Sequence, residues 1–313
     1  MALKWAVMFP GQGSQAVGMM AALGEDHAVV RDTFREASDV LGTDLWDLCR
    51  NGPAESLNRT EFTQPAMLAA GVAAWRVLAA ATSARPALVA GHSLGEYSAL
   101  VAAEALDFPA AVGLVAERAA AMQQAVPEGQ GAMAAILGLD DAAVVELCAV
   151  HAGGDVLEAV NFNSPGQVVI AGAAAAVDRA VAAAPAAGAK RALRLPVSVP
   201  SHCALMRSAA DRLAVRLEST ALRMPRVPVL HNVSAAPVQS VPELRAILAE
   251  QLFRPVRWVE TVRAMHTAGV QALVEAGPGR VLTGLAKRIE RDLQLFEVSD
   301  PSSLARTLEA LAI

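Results

Sequence analysis

The stretch PALVAGHSLGEYSALVAAEAL, residues 86–106, reads in three parts: a short apolar run (86–90), a turn framed by Gly91 and Gly95, and a run of helix-forming residues from Glu96. Between the glycines stands Ser93, in the pattern G-x-S-x-G. A strand that turns sharply into a helix needs glycine where its limbs crowd each other, and it lifts the central side chain out of the turn. A small residue packed in any tight turn would also fit. The strand before and the helix after make Ser93 a candidate nucleophile as well. The N-terminus of the following helix favours negative charge developing beside it.

Outward from this turn, the chain alternates strand-like and helix-like apolar runs. Strand candidates are KWAVMF (4–9), PALVA (86–90), VPVLHNV (227–233), QALVEA (271–276) and QLFEVS (294–299). They are short, apolar on both faces and separated by long helical stretches, as in a buried parallel sheet. The middle of the chain has a different order. GAMAAILG (131–138) reads as a strand, 140–152 as a helix, LEAVNFN (157–163) and QVVIAG (167–172) as a hairpin about Ser-Pro-Gly, 174–188 as a helix and KRALRLPV (190–197) as a strand. That β-α-β-β-α-β order predicts a ferredoxin-like unit. The expected organisation is a large α/β body, residues 1–124 and 199–313, with a small subdomain, 125–198, inserted into it.

Composition excludes several classes. The 313 residues are 54% hydrophobic and 18% charged, with a formal net charge of −5. Disorder is excluded, and no global basic footprint for nucleic acid exists. Cys49, Cys148 and Cys203 have neither disulfide-framework nor zinc spacing and read as free thiols of a reducing cytoplasm. The apolar run before Pro10 is too short for a signal peptide. Residues 66–81 are interrupted by Arg76 and read as a buried helix rather than a membrane span.

A serine nucleophile needs a base. Of six histidines, His92 adjoins Ser93 and should point away; His27, His151 and His266 fit helix contexts, and His231 lies near a strand end. His202, in LPVSVPSHCALM, follows a strand-like run and fits best by position. No Asp or Glu between Ser93 and His202 stands in a loop after a strand, Glu104, Glu117 and Glu146 reading as helical, so a Ser-His dyad is expected. The loop FPGQGSQ (9–15) can offer backbone amides to an oxyanion. Its likeness to a dinucleotide loop is countered by Pro10 and by the absence of a strand-end acid near position 35. Arg118 lies in the apolar helical run 108–124. It is either a guanidinium awaiting a carboxylate or an Arg that snorkels out beside Glu117.

Taken together, GQGSQ (11–15), TQPA (63–66), GHSLGEYSAL, Arg118, NSPGQVVIAG (163–172), VPSH (199–202), QLFRPVRW (251–258) and EAGPGRVLTGL (275–285) resemble the malonyl-CoA:acyl carrier protein transacylases over nearly the whole chain. The resemblance implies an α/β-hydrolase-like body and a ping-pong transfer of malonyl from CoA to the phosphopantetheine thiol of acyl carrier protein, for fatty acid synthesis. It implies Ser93 as nucleophile, His202 as base, and the backbone amides of Gln12 and Leu94 as oxyanion hole. The main-chain carbonyl of Gln251 would orient His202, Arg118 would hold the malonyl carboxylate, and Gln64 would line the pocket. No metal or cofactor is implied. Ser201, beside His202, occurs in modular polyketide acyltransferases selective for methylmalonyl, but also in discrete fatty-acid enzymes. A polyketide acyltransferase and a serine thioesterase or esterase on the same turn are the alternatives. The expected protein is a cytoplasmic monomer without nucleic-acid or membrane partners. It would dock an acidic carrier on Lys190, Arg191 and Arg194, or on Lys287, Arg288 and Arg291.

Overall fold

The computed structural model describes residues 3–197 and 199–311. Among these residues there are nine strands: β1 (Trp5–Phe9), β2 (Leu88–Gly91), β3 (Gly131–Leu137), β4 (Leu157–Ser164), β5 (Gln167–Ala173), β6 (Arg191–Arg194), β7 (Val229–Leu230), β8 (Ala272–Ala276) and β9 (Gln294–Val298). They form two sheets, one of five strands in the order β7-β2-β1-β8-β9 and one of four in the order β4-β5-β3-β6.

Every pairing in the five-stranded sheet is parallel. β1 lies at its centre, and its five residues are all buried. Alternation along the strand sends Trp5, Val7 and Phe9 into one apolar layer and Ala6 and Met8 into the other. The first layer holds the Thr60–Ala81 and Phe108–Ala125 helices, and the second the Trp258–Thr267 and Val281–Ile289 helices. This double burial is why the strands read as continuous apolar runs. Glu275 on β8 is a fully buried charged exception: its carboxylate accepts from the backbone N–H groups of Leu282 and Thr283 at the N-terminus of the last of those helices.

The four-stranded sheet is antiparallel throughout. Its Asp141–His151 and Ala174–Ala183 helices cover one face. On the other face, Met133, Val169 and Ala171 pack with Cys203 of the body. The edge of β4 is closed by the body: Phe162 N–H donates to Val256 O at 3.0 Å and Val256 N–H to Val160 O at 2.8 Å. The fold is therefore an α/β body with a parallel sheet and a ferredoxin-like small subdomain, as the sequence pattern implied.

Four local expectations change. The strand expected over 190–197 shortens to β6, four residues that end two short of Pro196. VPVLHNV forms only the two-residue β7, because His231 and Asn232 turn their backbone N–H groups to Ala236 O and to the Glu96 carboxylate. The helix expected over 174–188 ends at Ala183, and Pro185 just beyond has no N–H with which to continue the ladder. Glu104 is not helical but stands at φ 58° in the turn after the Gly95–Ala102 helix. The expected junction between residues 198 and 199 involves Ser198, which lies outside the described residues. No described helix is long and apolar enough to cross a membrane.

Candidate active site

Ser93 stands two residues past the end of β2 and has φ 51°. Holding a non-glycine residue there costs ~1–3 kcal/mol, which the surroundings must impose. They do so by close approach. A Cβ on Gly91 would lie 1.9 Å from the carbonyl carbon and oxygen of Gly95, and one on Gly95 would lie 2.1 Å from Phe9 O. The two glycines let the limbs of the turn touch each other and the end of β1. Asn232, just past β7, locks the turn from the side: its Oδ1 accepts from Ser93 N–H at 2.6 Å and its Nδ2 donates to Gly91 O at 2.6 Å.

His202 meets the serine from the other side of the insertion. Ser93 Oγ lies 2.7 Å from His202 Nε2, and His202 Nδ1 lies 2.7 Å from Gln251 O. A carbonyl only accepts, so Nδ1 carries the proton and Nε2 presents its lone pair to the serine hydroxyl. Burial, and then the nearby positive Arg118, lower His202 from its ordinary 6.5 to about 3, against the opposing effect of the Gln251 carbonyl. The ring is thus an unprotonated acceptor at neutral pH. A backbone carbonyl does the orienting that an acid does in a triad.

Arg118 is 1% exposed, on the Phe108–Ala125 helix. It does not snorkel; its neighbour Glu117 is the exposed one and pairs with Arg216. Nη1 donates to Gln64 Oε1 at 2.6 Å, Nη2 to Gln251 Oε1 at 2.9 Å, and Nη2 also points at Ser93 Oγ, 3.5 Å away. Among the described residues no carboxylate forms an ion pair with it. A buried guanidinium beside a candidate nucleophile, held by two neutral amides and lying 5.7 Å from the centre of the Tyr97 ring, has the charge and the fork to receive a carboxylate.

The cleft above Ser93 is lined by Gln12, Thr60, His92 and Asn163, among others, with Met133 and Val169 from the small subdomain. Ser201 also lines it. The backbone N–H groups of Gln12 and Leu94 find no acceptor among the described residues, which leaves both free to donate. His92 turns from the serine as expected: its Nε2 donates to Asn163 Oδ1 at 2.7 Å and its ring stands edge-on to Trp258. Burial lowers its pKa, partly offset by the Asn163 bond. The described residues contain no group of three or more His, Cys, Asp or Glu that could hold a metal ion. All three cysteines are free and buried, and burial pushes each thiol up to about 12.

The profile of the acyl transferase domain family matches residues 7–299. The malonyl CoA-acyl carrier protein transacylase of Haemophilus influenzae is 55% identical over 309 residues, covering 98% of this chain and 99% of its own. An acyl carrier protein S-malonyltransferase of Vibrio cholerae superimposes with a TM-score of 0.95 at 55% identity, over 97% of this chain and 99% of that one. The chain belongs to the malonyl-CoA:acyl carrier protein transacylase family. It is an acyltransferase by that membership. A malonyl-transacylase solved in complex with its type II PKS acyl-carrier protein is also similar, with a TM-score of 0.96 and 55% identity over 98% of this chain and 99% of that one.

Every site residue singled out in this transacylase's sequence lies in one place. Ser93, His202, Arg118, Gln64 and Gln251 form a continuous hydrogen-bonded set, and Gln12 and Leu94 flank it. Three features went unread, the Gln251 side chain, Glu96 and Asn232, while His231 was weighed only as a base near a strand end. The Gln251 side chain matters as well as its carbonyl. Glu96, His231 and Asn232 form a buried group behind the serine. The signal was present: an acid in the first turn after Ser93, and an adjacent His-Asn pair interrupting an apolar strand. The proposed docking clusters do not share one environment. All six residues are exposed, but Arg194 pairs with Asp178 and Arg288 donates to Gln167 at 2.9 Å.

Proposed function

We propose that this protein transfers the malonyl group from malonyl-CoA to the phosphopantetheine thiol of acyl carrier protein through a malonyl ester on Ser93. Ser93 Oγ attacks the thioester carbonyl while His202 Nε2 takes the hydroxyl proton. The developing oxyanion lies between the N–H groups of Gln12 and Leu94. The C–S bond breaks, and CoA leaves as the thiol after His202 returns the proton. In the second half the carrier thiol gives its proton to His202 and attacks the ester carbonyl. The C–Oγ bond breaks and Ser93 regains the proton. Arg118 receives the malonyl carboxylate on its two terminal nitrogens and holds the carbonyl against Ser93.

The observation that carries this reading is a buried guanidinium that, among the described residues, forms no direct ion pair with a carboxylate and lies 3.5 Å from the hydroxyl of a serine–histidine pair. An esterase on the same turn has no use for it. We further place the subdomain boundary near residues 125 and 198. The enzyme works without metal or cofactor, as a cytoplasmic monomer that docks its acidic carrier through a local basic patch and contacts neither nucleic acid nor membrane. Fatty acid synthesis is the main setting. The similarity to a transacylase solved with a type II PKS carrier supports polyketide carriers as a second one.

Intact-mass analysis after mixing with malonyl-CoA tests the proposal. A malonyl adduct is expected on the wild type, lost in Ser93→Ala and discharged by a pantetheine thiol. Free malonate released at the rate of CoA, with no acceptor present, would instead mean an esterase.

A further inference from the structure

Gln251 serves two groups at once. Its backbone carbonyl orients His202, and its side-chain carbonyl holds Arg118. Its side-chain NH2 faces two acceptors, Ser93 O at 3.0 Å and Glu96 Oε2 at 2.9 Å. A guanidinium only donates and a carboxylate only accepts, so the amide has one possible orientation. Glu96 is 0% exposed and also accepts from His231 Nδ1 at 2.7 Å and Asn232 N–H at 3.1 Å. Among the described residues His231 Nε2 meets no acceptor, which leaves the ring as an Nδ1–H donor. Among the described residues, Glu96 is the carboxylate that hydrogen bonds connect to Arg118, one amide away.

We propose that Glu96 is the countercharge of Arg118 across the Gln251 amide, and that it limits how tightly the site holds a carboxylate-bearing acyl group. The inference rests on the transferase reading above. In the empty site the charges of Arg118 and Glu96 cancel, and His202 is neutral. A malonyl group on Ser93 adds a negative charge that Arg118 attracts and Glu96 opposes. Without the Glu96 charge the empty site is positive and the loaded site neutral. Charges this far from water interact more strongly than exposed ones. A malonyl-serine held too well is a poor donor, because stabilising an intermediate more than the following transition state slows the second transfer. Glu96 touches neither substrate nor the Ser93 hydroxyl and acts as a positioning residue.

Glu96→Gln removes the charge and keeps the shape. Its oxygen can retain Asn232 and Gln251 while its NH2 faces His231, whose ring proton moves to Nε2. The expected result is a lower KM for malonyl-CoA and a malonyl-to-acetyl ratio of acylation kcat/KM raised on the order of tenfold. Discharge of the malonyl-serine by a pantetheine thiol should slow by a similar factor. A residue of purely structural importance would lower both acyl groups alike. Glu96→Asp keeps the charge but withdraws it from Gln251 by one methylene. It should move the ratio the same way by less, and it carries the test if the Gln variant does not fold. An unchanged or lower ratio in a folded variant overturns the countercharge. Failure of the wild type to form a malonyl adduct on Ser93 overturns the transferase reading instead.

Discussion

Truncating Arg118 to Ala deletes a guanidinium that is 1% exposed and 3.5 Å from Ser93 Oγ. The loss divides between two measurements. Stability falls because Gln64 Oε1 and Gln251 Oε1 lose their donor. A stranded buried acceptor costs about 1–3 kcal/mol, so a loss of ~2–6 kcal/mol should appear in the unfolding free energy from denaturant melts. Recognition falls because a malonyl carboxylate would enter a buried site without its partner. Breaking a buried pair costs about 3–5 kcal/mol, or roughly 150- to 5,000-fold in kcat/KM for malonyl-CoA. Acetyl has no carboxylate to strand. It also benefits from the change at the base, since the positive Arg118 is the second cause of the lowered His202 pKa. Acetyl transfer should therefore hold or rise. Arg118→Lys should recover part of the malonyl rate, because an ammonium cannot make two parallel bonds. The assay is the initial rate of Ser93 acylation with malonyl-CoA and acetyl-CoA in the three proteins, normalised to folded enzyme by its unfolding amplitude. If both acyl groups slow by the same factor in Arg118→Ala, the guanidinium is structural and the recognition argument fails.

Two further outcomes are expected. His202, lowered to about 3, and His92, also lowered, stay unprotonated in the fold while the unfolded chain takes up protons below about 6.5. Stability should then fall with decreasing pH from about 6.5 toward 3, by about 1.4 kcal/mol per pH unit from His202, with His92 adding a loss of the same sign. Acylation by the folded enzyme should show no inflection near 6.5; denaturant melts and a pH–rate profile check both, and an inflection there would refute the lowered base. Gly91→Ala should fail to fold, since the new methyl would stand 1.9 Å from the Gly95 carbonyl; a soluble variant with wild-type melting would show that the turn can open.

The fold was legible where periodicity was unambiguous. β1 is buried on both faces and reads as an unbroken apolar run, β8 is also fully buried and is interrupted only by Glu275, and the β3–β6 unit announced itself by its order of elements. β7 was overread: apolar composition gave it seven residues, but the polar duties of His231 and Asn232 cut it to two. The Ser93–His202 contact was legible because a glycine-framed serine and a histidine after a strand-like run each carry a local signature. Glu96 and the Gln251 side chain were not. Their meaning lies in which groups face each other across 155 residues of chain, and a linear pattern does not encode hydrogen-bond direction.

The antiparallel unit leaves the body after the helix that carries Arg118 and returns just before His202. Its two ends meet there: a Cβ on Gly131, at the start of β3, would lie 2.5 Å from the ring of Pro200. To the five-stranded body, then, the whole excursion is a turn of almost no span. Its contents can grow, shrink or be exchanged without shifting the distance from serine to histidine, provided the mouth stays shut. What the excursion does control is the roof, through Met133 and Val169, so the shape of what enters can evolve separately from the machinery that reacts with it.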